Sequence, residues 1–180
     1  MYNNLKQDLN EAEKFLKKIA KNSKVTFQIF PERKGSKVKP YQATKTWDSI
    51  KNQLVKSNDN GAGIFFMVNE GDGLGRKTEN VKKVRALFLD LDGEPLETVT
   101  LSNFFKPDII VETSEKRYHC YWLCNDCDLK SFSSTQKKLA EKFNGDPSVH
   151  DLPRVMRIPG FFHNKKEQPF LSKILKGIND

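Results

Sequence analysis

Leu87-Phe88-Leu89-Asp90-Leu91-Asp92-Gly93 sets two carboxylates two residues apart at the end of an apolar run. A β-strand alternates its side chains with a period of two, so Ala86, Phe88, Asp90 and Asp92 share one face and Leu87, Leu89 and Leu91 the other. The leucine face supplies core, and the opposite face turns polar at its C-terminal end. Like charges closing an apolar strand are costly unless a cation or a water-filled cleft compensates them. Carboxylates so placed suit two divalent ions, one lowering the pKa of an attacking hydroxyl and the other holding phosphate oxygens. The plainer alternative is a pair of solvated turn carboxylates ahead of Gly93.

Around this strand the composition describes a charged, folded chain of 180 residues, 37% hydrophobic and 30% charged, enough for one domain or a closely joined pair. No window approaches eighteen consecutive apolar residues, and Met1-Tyr2-Asn3-Asn4-Leu5 lacks the apolar core of a signal peptide; a cytoplasmic protein without a membrane span is expected. The net charge of +8 is uneven. Residues 1–60 carry thirteen Lys or Arg against six Asp or Glu, and residues 61–180 eighteen against seventeen. A basic N-terminal third beside a nearly neutral remainder fits a polyanion track next to an acidic centre, or a device for solubility. Cys120, Cys124 and Cys127 could hold zinc only with a fourth ligand such as His119 or His150. Cys120 lies in the apolar run 118–123, where a small buried thiol is ordinary.

Leu5, Leu9, Ala12, Phe15, Leu16 and Ile19 recur at helical spacing and predict a helix over 5–20. Residues 25–30 form a strand, 31–40 a basic turn or hairpin loop, and Trp47, Ile50 and Leu54 a second helix ending near Gly61. A strand over 63–68 leads to Asn69-Glu70-Gly71-Asp72-Gly73-Leu74-Gly75-Arg76, which lacks the full dinucleotide fingerprint and is taken as a loop. From residue 84 the succession is a strand over 84–91, a helix over 96–105, strands over 108–112 and 118–123, a helix over 129–143 and a strand over 154–158. That is the order of the ferredoxin-like split motif. A terminal helix is predicted over 170–178.

Two further segments carry chemistry. In 112–123 a polar turn with Ser114, Lys116 and Arg117 feeds a strand that sends His119 and Tyr121 to one face and Tyr118, Cys120 and Trp122 to the other. A histidine there can donate to a triphosphate, with turn amides adding donors, or it can serve as a satisfied core residue or a general base. In 146–160 Asp146 and Asp151 precede Arg154 and Arg157, whose donor forks suit phosphate oxygens. On a regular strand the two arginines point oppositely, and a salt bridge to Asp151 or Glu167 is the bland role for either.

Together the three segments resemble the catalytic core of the archaeo-eukaryotic primase superfamily, in particular its RepB-like plasmid and phage primase-polymerase branch. The motifs are the apolar strand ending Asp90-Leu91-Asp92, then Ser114 to Tyr121 with His119, then Asp146, Arg154-Val155-Met156-Arg157-Ile158-Pro159-Gly160 and Asn164-Lys165. The resemblance spans residues 24–175 and implies an α+β fold, with an N-terminal α/β portion (about 1–83) packed on a ferredoxin-like, RNA-recognition-like portion (84–180) in a single domain. Further implied are Mg2+ or Mn2+ on Asp90, Asp92 and Asp146, with Asp151 in reserve. The catalytic side chains so implied are Asp90, Asp92, Asp146 and His119, and nucleotide contacts would come from Ser114, Lys116, His119, Arg154, Arg157, Asn69, Arg85 and Lys165. Phe161-Phe162-His163 departs from the polar character of many relatives.

The reaction so implied is synthesis of primers on a single-stranded DNA template from nucleoside triphosphates. Arg33, Lys34, Lys37 and Lys39, with Lys45 and Lys51, are the candidate template track. No Walker loop is present, so a helicase motor would come from a partner or an adjoining domain. Asp90 to Gly93 also resembles the opening motif of haloacid dehalogenase-like phosphatases, but Glu94 stands where that family has Thr and no later acid pair answers it. A metal-dependent replication nuclease remains as an alternative, as does a non-catalytic single-strand-binding module stacking bases on Tyr118, Tyr121 and Trp122.

Overall fold

Two four-stranded antiparallel sheets, three helices of twelve to fifteen residues and two short ribbons make up the computed structural model, which describes residues 6–21, 23–102 and 105–177. Its elements in chain order are α1 (Leu9–Ala20), β1 (Val25–Pro31), β2 (Tyr41–Lys45), α2 (Trp47–Asp59), β3 (Ala62–Met67), β4 (Glu70–Gly71), β5 (Val81–Lys83), β6 (Ala86–Asp92), α3 (Glu97–Thr100), β7 (Ile109–Ser114), β8 (Arg117–Leu123), α4 (Leu129–Phe143), β9 (Val155–Arg157), β10 (Phe162–His163), β11 (Phe170–Leu171) and β12 (Lys173–Lys176). The first sheet runs β2-β1-β3-β9 and the second β12-β7-β8-β6, while β4 pairs β5 and β10 pairs β11. Among the described residues no helix is long and apolar enough to cross a membrane.

The predicted helices at 5–20, in the region of Trp47 and over 129–143 are present, the first and last of them with side-chain caps. Asp8 accepts from the Glu11 amide to cap α1, and Asp128 accepts from the Lys130 and Ser131 amides to cap α4. Leu5, which begins the predicted pattern, lies outside the described residues. The apolar face of α1 carries Phe15 edge-on to Phe66 and Tyr121, at 5.2 and 5.5 Å between ring centroids. One main core thus joins α1 and α2 to Phe27, Ile29, Ile64 and Phe66 of the first sheet and to Ala86, Phe88, Val111 and Tyr121 of the second. Leu89, Leu91, Cys120 and Trp122 turn to the far face, against Val99 and the α4 side chains Leu139, Ala140 and Phe143. The alternation expected for residues 86–92 and 118–122 is therefore observed.

The helix expected over 96–105 is confined to α3, Glu97–Thr100, with residues 103 and 104 outside the described ones. Three further segments differ from expectation. The strand of Arg154 to Ile158 does not close the split motif; it is β9, the edge of the first sheet, in register Phe65↔Arg157, Phe66↔Met156 and Met67↔Val155. Periodicity gives a strand's faces but not its partner, and the open edge of β3 takes this one. The terminal helix over 170–178 is absent over its described part. Phe170 to Lys176 forms β11 and β12, and β12 pairs with β7 as Lys173↔Glu112 and Ile174↔Val111. Its apolar spacing fits a helix, but the unpaired edge of β7, with the Ile174 amide donating to the Glu11 carboxylate at 2.9 Å, outweighs local propensity. Ile178 lies outside the described residues. Third, β2 continues the basic loop as an edge strand that sequence reasoning passed over.

Candidate active site

The site begins at the edge of the second sheet. β6 has β8 on one side only, so its other edge presents unpaired backbone groups that need partners. Gln136 of α4 supplies them at Phe88, accepting from its amide at 3.0 Å and donating to its carbonyl at 2.8 Å. Two residues on, the Asp146 amide donates to the Asp90 carbonyl at 3.0 Å. The turn after α4 thereby lies alongside β6 and delivers Asp146 beside Asp90. Gly145 is required for that approach, because a Cβ there would stand 2.3 Å from Leu89 Cδ1 and 3.2 Å from the Asp90 carbonyl.

Across the strand pair, Asp90 faces His119 and Asp92 faces Arg117 in register. The His119 Nε2 lies 3.7 Å from Asp90 Oδ1, and Arg117 Nε 2.7 Å from Asp92 Oδ1. Burial, then the Asp92 charge and the Asp146 charge, push the Asp90 carboxyl up to about 6, partly opposed by Arg117 and Arg154. Burial, then the charges of Arg157 and His163, push His119 down to about 3. His119 is thus a neutral imidazole at neutral pH. The Tyr121 hydroxyl lies 3.4 Å from its Nδ1; burial holds that phenol protonated, so it can donate there and leave the imidazole proton on Nε2, toward the cleft.

The other wall belongs to the first sheet. Arg157, paired with Phe65 on β3, lies with its guanidinium carbon 4.6 Å from the Phe65 ring centroid and makes two hydrogen bonds to the Glu32 carboxylate. Arg154, just before β9, instead bonds Asp151 and the Ser148 carbonyl, so the two arginines have different partners. His163 hydrogen-bonds the Thr113 carbonyl through Nδ1 at 3.0 Å, bridging β10 to β7 across the cleft.

The remaining candidates divide. Ser114 is buried beside the β7–β8 turn, where Lys116 adopts a left-handed φ of 58°. Lys165 is exposed and close enough to His163 to lower its pKa. Asn69 and Arg85 are instead engaged within the fold. Asn69 donates to the Leu152 carbonyl and accepts from the Arg85 amide, bracing the turn before β9, while the Arg85 guanidinium bonds Ser23 and the Lys24 carbonyl. Arg85 sits five residues before Asp90, roughly 16 Å along the strand. Arg33, Lys34 and Lys37 line a cavity of about 560 Å³ between the β1–β2 loop and the end of α2, with Lys56 joining them. Lys39 and Lys45 are exposed on the same hairpin, and Lys51 is paired with Asp48 at 2.7 Å.

Three carboxylates with too little compensating charge are the hard oxygen donor set that Mg2+ or Mn2+ takes. As placed, Asp92 is drawn to Arg117 and Asp146 Oδ1 accepts from the Ser148 amide at 2.8 Å. Accordingly no three His, Cys, Asp or Glu side chains close on one point among the described residues. The cysteines form no such group either; all three are free thiols, and His119 faces Asp90 instead of joining them. Tyr121 and Trp122 are not stacking platforms. Both are buried, Trp122 between Phe105 and Phe143. Glu32 escaped sequence reasoning, His163 was noted only as a departure from the family pattern, and Asn164 was quoted in the third motif without a role. Glu32 was averaged into a basic loop, a lone acid beside Arg33, Lys34, Lys37 and Lys39.

This two-sheet α+β architecture is that of archaeo-eukaryotic primase catalytic domains. The AEP domain of the cyanophage S-2L primase-polymerase superposes with a TM-score of 0.76 at 19% identity, over 98% of this chain and 94% of that one. Primase RepB′ gives 0.74 at 14% identity over 96% of this chain, which spans 57% of the RepB′ chain; its catalytic domain in complex with initiator DNA gives 0.70 at 15%, over 96% and 86%. The RepB DNA-primase N-terminal domain model matches residues 68–173, and the chain belongs to that family. Among curated proteins none matches closely enough to carry an argument.

Proposed function

We propose that the protein is a DNA-directed nucleotidyltransferase that synthesises primers on a single-stranded template from nucleoside triphosphates. The observation that carries this reading is that Asp90 and His119, distant in sequence, face each other at the end of one strand pair while the Asp146 backbone bonds that of Asp90. Asp90, Asp92 and Asp146 would hold Mg2+ or Mn2+, with Asp151, engaged by Arg154, in reserve. A divalent ion bound there supplies charge that lowers the pKa of the primer 3′-hydroxyl and shields phosphate oxygens.

The chain's own residues orient the triphosphate. The His119 Nε2–H and the Arg157 guanidinium donate from opposite walls to its outer phosphate oxygens, and the Ser114 to Lys116 turn adds a hydroxyl, amides and a positive charge. Arg154 and Lys165 add positive charge at the two ends of the Arg157 segment. The 3′-oxygen bonds to the α-phosphorus as the bond to the bridging oxygen breaks, and pyrophosphate leaves. Template phosphates follow Arg33, Lys34, Lys37 and Lys39 toward Lys45 and Lys51, with little sequence preference and strong salt dependence. For Asn69 and Arg85 the bonding supports an indirect part, holding the turn that carries Arg154 and the start of β6. Family membership supports a place in replication of a plasmid, phage or other mobile element, alongside a helicase.

The experiment is incubation with a single-stranded template, labelled nucleotides and Mg2+ or Mn2+, with an Asp90→Ala control. Template-dependent incorporation that disappears in the control supports the reading. Cleavage of the DNA without any need for nucleotides would make the protein a nuclease.

A further inference from the structure

Arg157 does not reach the cleft as a free side chain. Its fork is met by both oxygens of Glu32, its planar face rests on Phe65, and both members of the pair are buried, with side chains 5% and 3% exposed. Glu32 is in turn held by the Asn164 amide, which donates to Oε2 at 3.1 Å, and Arg33 donates to the Asn164 side chain at 2.9 Å. Room for the carboxylate exists because residue 63 is glycine; a Cβ there would lie 2.4 Å from the Glu32 carboxyl carbon. Burial alone would raise the Glu32 carboxyl, but the hydrogen bonds and charge of Arg157 with the Asn164 amide hold it below the usual range. Glu32 is the hydrogen-bonding partner of Arg157 among the described residues, and it leaves three of the five guanidinium N–H groups uncommitted.

A buried ion pair is a poor device for stability, because desolvation offsets most of the attraction and an apolar pair of equal volume does as well. What such a pair does secure is direction. A free arginine must give up rotamer freedom each time it grips a ligand, whereas one already clamped gives it up on folding and meets the ligand oriented. We propose that Glu32 is a positioning residue for nucleotide binding: it fixes the Arg157 guanidinium against Phe65, beside His119 and His163, so that the uncommitted N–H groups face the triphosphate. This inference rests on the primase reading given above.

The test is steady-state primer extension by the wild type and by Glu32→Gln, Glu32→Asp, Arg157→Lys and the double variant Glu32→Gln with Arg157→Lys, with the melting temperature of each. Glu32→Gln keeps the shape but loses the ionic clamp, and should raise KM for the nucleotide about tenfold while KM for the template holds. Glu32→Asp, which keeps the charge on a shorter stem, should fall between. In the Arg157→Lys background, where no fork remains to be aimed, Glu32→Gln should add less than about a twofold change. A nucleotide KM unchanged in Glu32→Gln, whatever its melting temperature, overturns the inference, as does a full additional loss in the Lys background. Should Glu32→Gln fail to fold, Glu32→Asp decides by the same KM criterion. A wild type that incorporates no nucleotide at all brings down the primase reading and the inference together, whereas an active wild type with an indifferent Glu32 brings down the inference alone.

Discussion

On the β6 side of the cleft three carboxylates gather with too little positive charge around them, whereas on the β9 side one carboxylate and one guanidinium neutralise each other almost out of contact with water. Asp90 keeps its side chain 31% exposed and its proton up to about 6, while Glu32 is 3% exposed and held ionised. One is an acid on strand β6 and the other an acid just past the end of β1, and the less exposed of the two is the one held ionised, so burial alone does not set their behaviour. The neighbours do. On the β6 side Arg117 and Arg154 only partly offset the repulsion among the carboxylates, whereas the Glu32–Arg157 pair on the β9 side neutralises itself. On the proposed reading, the Glu32–Arg157 half would orient the nucleotide and the carboxylate half would take a divalent cation.

The widest separation between the halves is expected from Asp90→Asn. Synthesis should fall by about 10³-fold or more, DNA binding should be spared, and the melting temperature in EDTA at pH 7 should rise, because the swap removes repulsion with Asp92 and Asp146 at little cost in shape. A melting temperature that drops would mean that Asp90 is a structural acid and that the contrast is misread. Arg157→Met should do the reverse to stability. It strands a buried carboxylate and should cost about 3–5 kcal/mol in denaturant unfolding, most of which returns when Glu32→Gln is added. If the double variant is no more stable than the single one, the pair is not the closed unit described.

Gly145→Ala sharpens the comparison at a residue that touches no ligand. Its Cβ would meet Leu89 and the Asp90 carbonyl, so either β6 or the turn carrying Asp146 must shift. About 1–3 kcal/mol of stability should be lost. Activity should fall by about 10- to 100-fold if the shift separates Asp146 from Asp90, with KM for the template unmoved. Arg157 and Glu32, which bond each other and the Asn164 amide and not this turn, should keep their proposed part in nucleotide binding, so that kcat and not nucleotide KM carries the loss.

How much of this was legible in the sequence follows the same division. Asp90, Asp92 and His119 declared themselves by alternation, since a period of two fixes faces whatever the partner strand, and the face assignments of β6 and β8 agree with the packing. Asp146 was picked out only by the family resemblance, through its spacing to the arginines, because what brings it to Asp90 is an edge contact between backbones. Glu32 was invisible, being one acid among the lysines of a loop and paired across 125 residues. The strand 155–157 showed its type but not its sheet, and 173–176 showed neither, because an edge that needs a partner is a property of the folded neighbour and not of the segment that fills it.

The smallest expected effect tests whether the two halves carry opposite signs of pH dependence. Asp90 has a folded pKa of about 6 against a usual 3.8. The native state therefore holds its proton more tightly than the unfolded chain does, and its contribution to stability is full below 3.8 and lost as pH rises through about 6. With the side chain nearly a third exposed, about 1–2 kcal/mol is at stake. Glu32 is lowered from 4.5, so its contribution is present above 4.5 and is lost as pH falls through its folded value. Thermal melts of the protein in EDTA between pH 3.5 and 7.5 should therefore lose stability on both sides of a region near pH 4.5. Asp90→Asn should flatten the high-pH limb and Glu32→Gln the low-pH limb, each leaving the other in place. Added Mg2+ should raise the melting temperature more at pH 7.5 than at pH 4.5, where protons already do at Asp90 what the cation would do. An equal Mg2+ effect at both pH values would mean that the ion is not meeting this cluster of acids.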